Sequence, residues 1–137
     1  MKSTADDLRS IVAMSNDLAR TMDPQLVGDR IARHIGQAVG ASDCALSYWD
    51  QPADRVVTLG YFPPERRNAL QPSYALADYP ATRLVLEQSR PAIIDTADPE
   101  ADANGVAYLA SIQQQSMMII PLVAAGTTIG TLEVTSD

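Results

Sequence analysis

The sequence predicts an α+β fold, a central antiparallel sheet of about five to six strands with helices on both faces. Three observations predict it. Two pairs of short β-rich runs, one around residue 50 and one closing the chain, are each joined by a few residues and read as hairpins, which build antiparallel sheets. Helical periodicities stand between the strand pairs rather than alternating one-for-one with single strands, which argues against a doubly wound parallel sheet. The 137 residues are enough for one domain with its own core.

Each element has a local reason. Over about 4–22, Leu8, Ile11, Val12, Ser15, Leu18, Ala19 and Met22 recur at steps of three and four, an amphipathic helix with a narrow seam suited to a domain face or a short coiled coil. Asp23-Pro24 restarts the chain, since Asp caps a helix and Pro fits its first position, where the missing N–H would be unpaired anyway. A helix is expected from 24 to 39, burying Val27, Ile31, Ile35, Ala38 and Val39 and ending at Gly40. "SDCALSYWD" and "DRVVTLGYF", joined by "QPA", form the first hairpin. Residues 62–79, with prolines at 63, 64 and 72, show no period and read as a long irregular loop of the kind that serves as a lid. Tyr79-Pro80 opens a helix to about Ser89, "PAIID" is a short strand, and a helix over about 102–113 places Val106, Leu109 and Ile112 on one side. "MMII" at 117–120 lacks polar alternation, as in a strand covered on both faces. The last strand sets Gly130, Leu132 and Val134 on one side and Ile129, Thr131 and Glu133 on the other. Gly126 supplies a turn residue, and Gly130 marks a bulge or a close backbone approach.

Composition removes whole classes of function. The net charge of -7, with acidic residues scattered along the chain, suits neither nucleic acid nor an anionic membrane, both of which need clustered cations. The longest apolar runs fall well short of the roughly 20 residues that span a bilayer, and "MKSTADDLRS" has no apolar core of a signal peptide. Cys44, the one cysteine, excludes an internal disulfide and a structural zinc site, so a cytoplasmic location is expected.

In this order and spacing, three stretches resemble a GAF domain, the ligand-sensing relative of PAS. "IVAMSNDLARTMDPQLVGDRIARHIGQAVGASDCALSYWD" is similar to the opening of GAF domains in bacterial histidine kinases and diguanylate cyclases. "YPATRLVLEQSRPAIIDTAD" resembles the family's middle helix, short strand and aspartate; "YLASIQQQSMMIIPLVAAGTTIGTLEV" resembles its last helix and hairpin. The resemblance implies N-terminal helices on one face of the sheet and a small-molecule pocket between the other face, the middle helices and the 62–79 loop. It divides the chain into a signalling or dimerisation helix over 1–22 and a domain core over 23–137. It also implies a C-terminal helix beyond "TLEVTSD", so the chain is expected to be a piece of a larger signalling protein whose uncovered apolar surface drives self-association.

The specialised members each need particular atoms. The Asn-Lys, Phe, Asp-Glu signature of cyclic-nucleotide binders has no counterpart, since Lys2 and Phe62 are the only residues of their types. Asp78 and Pro80 match the Asp-x-Pro segment of bilin-binding members, but Cys44 stands on the first strand, away from where a thioether would form. Haem would need an axial ligand in the pocket, and His34 lies on the second helix. The methionine sulfoxide reductase branch exchanges several thiols, and here there is one. "EADANG" at 100–105 follows the start of an EF-hand loop, yet Ser111 stands where its twelfth-position glutamate belongs; helix capping by Asp102 or Asn104 is the simpler role. No nucleophile–base arrangement is present.

The expectation is therefore a regulatory module rather than an enzyme, with no metal and no covalent bilin, haem or cyclic nucleotide. The candidate ligand contacts are Tyr48 on the first strand, Tyr61, Tyr74 and Tyr79 around the loop, Asp95 after the short strand and Tyr108 on the last helix. Five tyrosines against one phenylalanine favour rings with a hydrogen-bonding tip. The expected partners are an unidentified small molecule and a second copy of the chain, paired through the N-terminal helix. The alternative is a ligand-free dimerisation and signal-relay module.

Overall fold

The computed structural model describes residues 24–65 and 73–136, with Ile11 besides. The expected helix over 4–22 lies outside the described residues except for Ile11, which packs against a core cluster that includes Cys44 and Leu46. The described elements are α1 (Pro24–Val39), β1 (Asp43–Asp50), β2 (Arg55–Phe62), β3 (Ser73–Ala75), a 3₁₀ turn (Leu76–Asp78), α2 (Pro80–Gln88), β4 (Ala92–Asp95), α3 (Ala103–Ser111), β5 (Ser116–Ala124) and β6 (Thr127–Ser136). The strands form one sheet in the order β3-β2-β1-β6-β5-β4, antiparallel at every pairing. The class is α+β, with α1 on one face and α2 and α3 on the other.

α1 packs through the stripe its large residues suggest, widened by a row of small ones and cut short at its last turn. Val27 and Ile31 are buried and Ile35 half-buried as expected, but Ala38 is exposed and Val39 is 63% exposed. Beside Val27, Ile31 and Ile35 the contact also runs along Gly28, Ala32 and Gly36 at steps of four, one line on a helix surface. A Cβ on Gly28 would come within 2.0 Å of the Leu59 carbonyl oxygen, and one on Gly60 within 2.0 Å of the Gly28 carbonyl carbon. Backbone therefore lies directly on backbone, and the last turn, residues 37–39, is exposed. Asp29 on the same helix accepts a hydrogen bond from the Tyr61 backbone N–H at 2.9 Å, which fixes α1 along β2.

Two further expectations are corrected. The segment 62–79 is not irregular throughout: Ser73, Tyr74 and Ala75 pair with Val57, Val56 and Arg55 of β2. Arg55 donates to the Ser73 hydroxyl at 3.1 Å, and the Leu76 N–H donates to the Asp54 carbonyl at 3.0 Å. Residues 66–72 lie outside the described part. "MMII" is not covered on both faces, because Met117 and Ile119 are buried whereas Met118 is 42% exposed. Gly126 has the expected positive φ of 77°. Gly130 combines both of its expected roles: the β5–β6 register shifts beside its partner Leu122, and a Cβ there would lie 2.0 Å from the Ser47 carbonyl oxygen.

Candidate functional site

Strand alternation, with one register shift between β1 and β2 that brings Thr58 and Tyr61 to the same side, sends one set of side chains from every strand toward α2 and α3, and these floor a cavity of about 300 Å³. The floor consists of Thr58 and Tyr61 of β2, Ala45 of β1, Glu133 of β6, Met117 of β5, Ile94 of β4 and Tyr74 of β3. Cross-strand register makes this one surface, since Ala45 stands opposite both Tyr61 and Glu133. Tyr79 and Thr82 of the α2 end, with Asn104, Gly105, Ala107, Tyr108 and Ser111 of α3, form the roof. Gly105 allows the roof to sit low, for a Cβ there would be 2.7 Å from the Ile94 Cδ1.

One carboxylate ties the roof together. Asp102 caps α3, its Oδ1 accepting from the backbone N–H groups of Asn104 at 3.0 Å and Gly105 at 3.3 Å. Its Oδ2 accepts from the Ala81 N–H in the first turn of α2 at 3.2 Å. The positive ends of both helices thus converge on one negative charge, the placement that helix dipoles favour. The Asn104 amide also donates to the Asp78 carbonyl. Asp102 of the acidic stretch serves as a double cap, and no group of three or more potential metal ligands occurs among the described residues.

Glu133 is the charged group of the floor. It is 8% exposed, and the Tyr74 hydroxyl donates to its Oε1 at 3.1 Å. Burial pushes the Glu133 carboxyl up to about 6, against the pull of the Tyr74 hydrogen bond. Burial raises the Tyr74 hydroxyl far above the ordinary phenol range, and the neighbouring Glu133 adds to this. Tyr79 is raised in the same direction, by burial first and then by Glu133, Asp78 and Asp102. The Tyr74 and Tyr79 rings meet edge-on, with centroids 4.5 Å apart. Beside one carboxylate, then, stand two phenols that remain protonated donors across the physiological range.

Of the expected contacts, Tyr61, Tyr74, Tyr79 and Tyr108 line this cavity. Tyr48 and Asp95 are placed elsewhere. Tyr48 lies three positions along β1 from Ala45 and so points to the opposite face, where it is 46% exposed. Asp95 follows the cavity residue Ile94 by one and is exposed, its carboxylate accepting from the Ala97 N–H at 2.8 Å to close a turn. Cys44 occupies the α1 side of β1 among Val27, Ala32 and Leu46, and burial, with Glu133 and Asp43 adding, pushes its thiol up to about 12. Glu133 was expected on a strand face and not in the site. In the sequence it stands in the alternating polar row Thr131, Glu133, Thr135, which reads as an ordinary wet face; in the structure all three are buried.

A family model described as GAF domain matches residues 23–137. No curated protein matches the sequence. Among solved structures, the phycocyanobilin-bound GAF domain from a cyanobacterial phytochrome is similar with a TM-score of 0.71 at 16% identity, covering 99% of this chain and 81% of that one. The GAF domain from Acinetobacter phosphoenolpyruvate-protein phosphotransferase has a TM-score of 0.66 at 17% identity, covering 99% and 78%. The free methionine-R-sulfoxide reductase from Neisseria meningitidis, in complex with its substrate, has a TM-score of 0.62 at 16% identity, covering 99% and 77%. At such identities the likeness is one of fold. No described helix is long and apolar enough to cross a membrane.

Proposed function

The chain belongs to the GAF family, a family of regulatory and sensory modules, and from that premise we propose that it is the small-molecule-sensing domain of a larger bacterial signalling protein. The observation that carries this reading is the roofed cavity with a buried carboxylate on its floor. A cavity of about 300 Å³ lies at the lower end of the range typical for small-molecule sites. Ionising a carboxyl buried there is costly, and the one hydrogen bond from Tyr74 leaves acceptor positions that a bound molecule can fill.

The ligand in this reading is held reversibly. Cys44 is the only cysteine and lies on the α1 side of the sheet, so the thioether chemistry of covalent chromophores has no thiol at the cavity. Binding rather than turnover fits the lining, in which one carboxylate and several phenols stand without a nucleophile–base pair. Thermal-shift measurements across a panel of cytoplasmic metabolites test it: at least one compound raises the melting temperature, and Ala45→Leu, which fills the floor, removes that shift. A panel without any binder, or a binder indifferent to Ala45→Leu, overturns it.

The second reading, a dimerisation and relay module, is favoured by Ile93 and Met118. These cross-strand partners sit on the outer face, 70% and 42% exposed. In that reading a second copy covers them, and Met118→Glu lowers the sedimentation coefficient of the full chain; a monomer before and after the change rejects it.

A further inference from the structure

Glu133 is the only residue with a formal charge among the described residues that line the cavity. The described arginines with assigned partners are engaged elsewhere: Arg55 with the Ser73 hydroxyl, and Arg83 with Asp54 at 2.7 Å and Glu87 at 3.3 Å on the surface. The Tyr74 hydroxyl is the one hydrogen-bond donor to Glu133 among the described residues, although a carboxylate has roughly four acceptor positions. Tyr61, Tyr74, Tyr79 and Tyr108 stand around the same space, and the faces of their rings carry the negative lobe of the quadrupole. The chain's net charge of -7 adds a long-range attraction for cations.

We propose that the ligand presents a protonated nitrogen group, an ammonium, amidinium or guanidinium, which pairs with Glu133 at the cavity floor while the tyrosine rings flank its cationic or aromatic body. The proposal rests on the reading above that the cavity takes a small molecule, and names its chemistry. An anion is the wrong ligand for this lining: it would meet a buried carboxylate with no described lysine, arginine or histidine beside it. A neutral ligand would leave the Glu133 charge uncompensated away from water, the arrangement that buried groups avoid. A donor-rich cation answers both the charge and the unused acceptor positions, through charge-assisted hydrogen bonds that are stronger than neutral ones.

The pairing makes binding depend on pH in a stated direction. Among the described residues, the titratable groups facing Glu133 are Tyr74 from β3, Tyr79 from the α2 end, Tyr108 from α3 and Tyr61 from β2, with Asp43 and Cys44 nearby on β1. Affinity for a permanently protonated ligand therefore increases as the pH rises through the range where Glu133 ionises. Tyr74→Phe removes the donor that favours the ionised form and moves that rise to higher pH.

The test uses three fragments of one shape and different charge, benzamidine, benzamide and benzoate, at millimolar concentration against the ¹⁵N-labelled chain. Shifts of the Ala45, Gly105 and Met117 amides report on the cavity. Benzamidine is expected to bind at least roughly tenfold more tightly than either isostere, the worth of one charge-assisted hydrogen bond, to weaken between pH 7 and 5, and to lose its advantage in Glu133→Gln. Tight binding of benzamide or benzoate, or a benzamidine affinity unchanged in Glu133→Gln, overturns the cation assignment and leaves the ligand cavity standing. If no fragment of any charge perturbs the cavity amides, both readings fall together. Should Glu133→Gln alter the fold, Tyr74→Phe carries the test, and a binding midpoint that stays in place counts against the proposal.

Discussion

The two faces of one sheet have been put to opposite uses. On the α1 side, Cys44 and Leu46 of β1 and Leu132 of β6 meet Val27, Ile31 and Ala32 without a polar group in the cluster. The helix lies so close that glycine is needed on both partners. On the other side, the neighbouring residues of the same strands are Ala45 with Asp43, Ser47, Thr131, Glu133 and Thr135, all buried and, but for Ala45, all polar or charged. Among these, Thr135 donates to the Asp43 carboxylate at 3.3 Å. β6 shows the contrast within single steps of chain, with Leu132 in the apolar cluster and Glu133 in the cavity. Close packing supplies stability on one face; on the other, two helices joined through the Asp102 carboxylate roof a cavity that holds a charge. A period of two lets both be written into one strand.

The contrast is broken most forcefully at the close-packed face. Gly60→Ala puts a methyl within 2.0 Å of the Gly28 backbone, where no rotamer change relieves it. The expected loss is at least about 3 kcal/mol, the upper end for overpacking, seen as a lower urea midpoint. A loss below about 1 kcal/mol, the lower end of the same range, would mean that α1 can lift from β2. A smaller effect is expected from the roof. Asp102→Ala removes the acceptor from three backbone N–H groups at two helix starts, costing about 2 kcal/mol at roughly one per cap. Because both helices carry cavity residues, the same change should weaken fragment binding, which Gly60→Ala at a folded temperature should not.

The difference between the faces also explains what was legible in the sequence. The bounds of α1 could be read because Pro24 and Gly40 are local signals, and the helix runs Pro24–Val39 with Gly40 at a φ of 69°. Val27, Ile31 and Ile35 of its packing face could be read too, but the row of Gly28, Ala32 and Gly36 could not, because it carries no hydrophobic signal and depends on Gly60, far along the chain. β3 was hidden for a similar reason: three residues have no period, and its identity comes from register with β2. The tyrosines pointed to the cavity wherever their parity was right. Tyr48 and Asp95 stand one face wrong, because membership in a site is decided strand by strand at single-residue resolution. Glu133 had the right parity, but an alternating strand is silent about whether its polar side meets water or a roof. Only α2 and α3, brought over by Asp102, make that side an interior.

The finest test of the cavity face needs no ligand. Glu133 titrates at about 6 in the fold against an ordinary value of 4.5, so the folded state binds this proton more tightly than the unfolded one. Stability is then full below 4.5 and falls as the pH rises through 6, levelling off above it, because over that window the native state carries more protons. A tenfold difference in proton affinity between the two states is worth roughly 1.4 kcal/mol, so the loss amounts to between about 1 and 2 kcal/mol. Glu133→Gln keeps an oxygen to accept from Tyr74 and removes the ionisation. The variant should match the parent near pH 4.5 and exceed its stability by that amount at about pH 8, where the parent's loss is complete, measured by urea unfolding at each pH. A parent whose stability rises over the same interval relative to the variant would mean that Glu133 is already paired with a cation inside the fold, and the unmatched charge that distinguishes this face from the other would be gone.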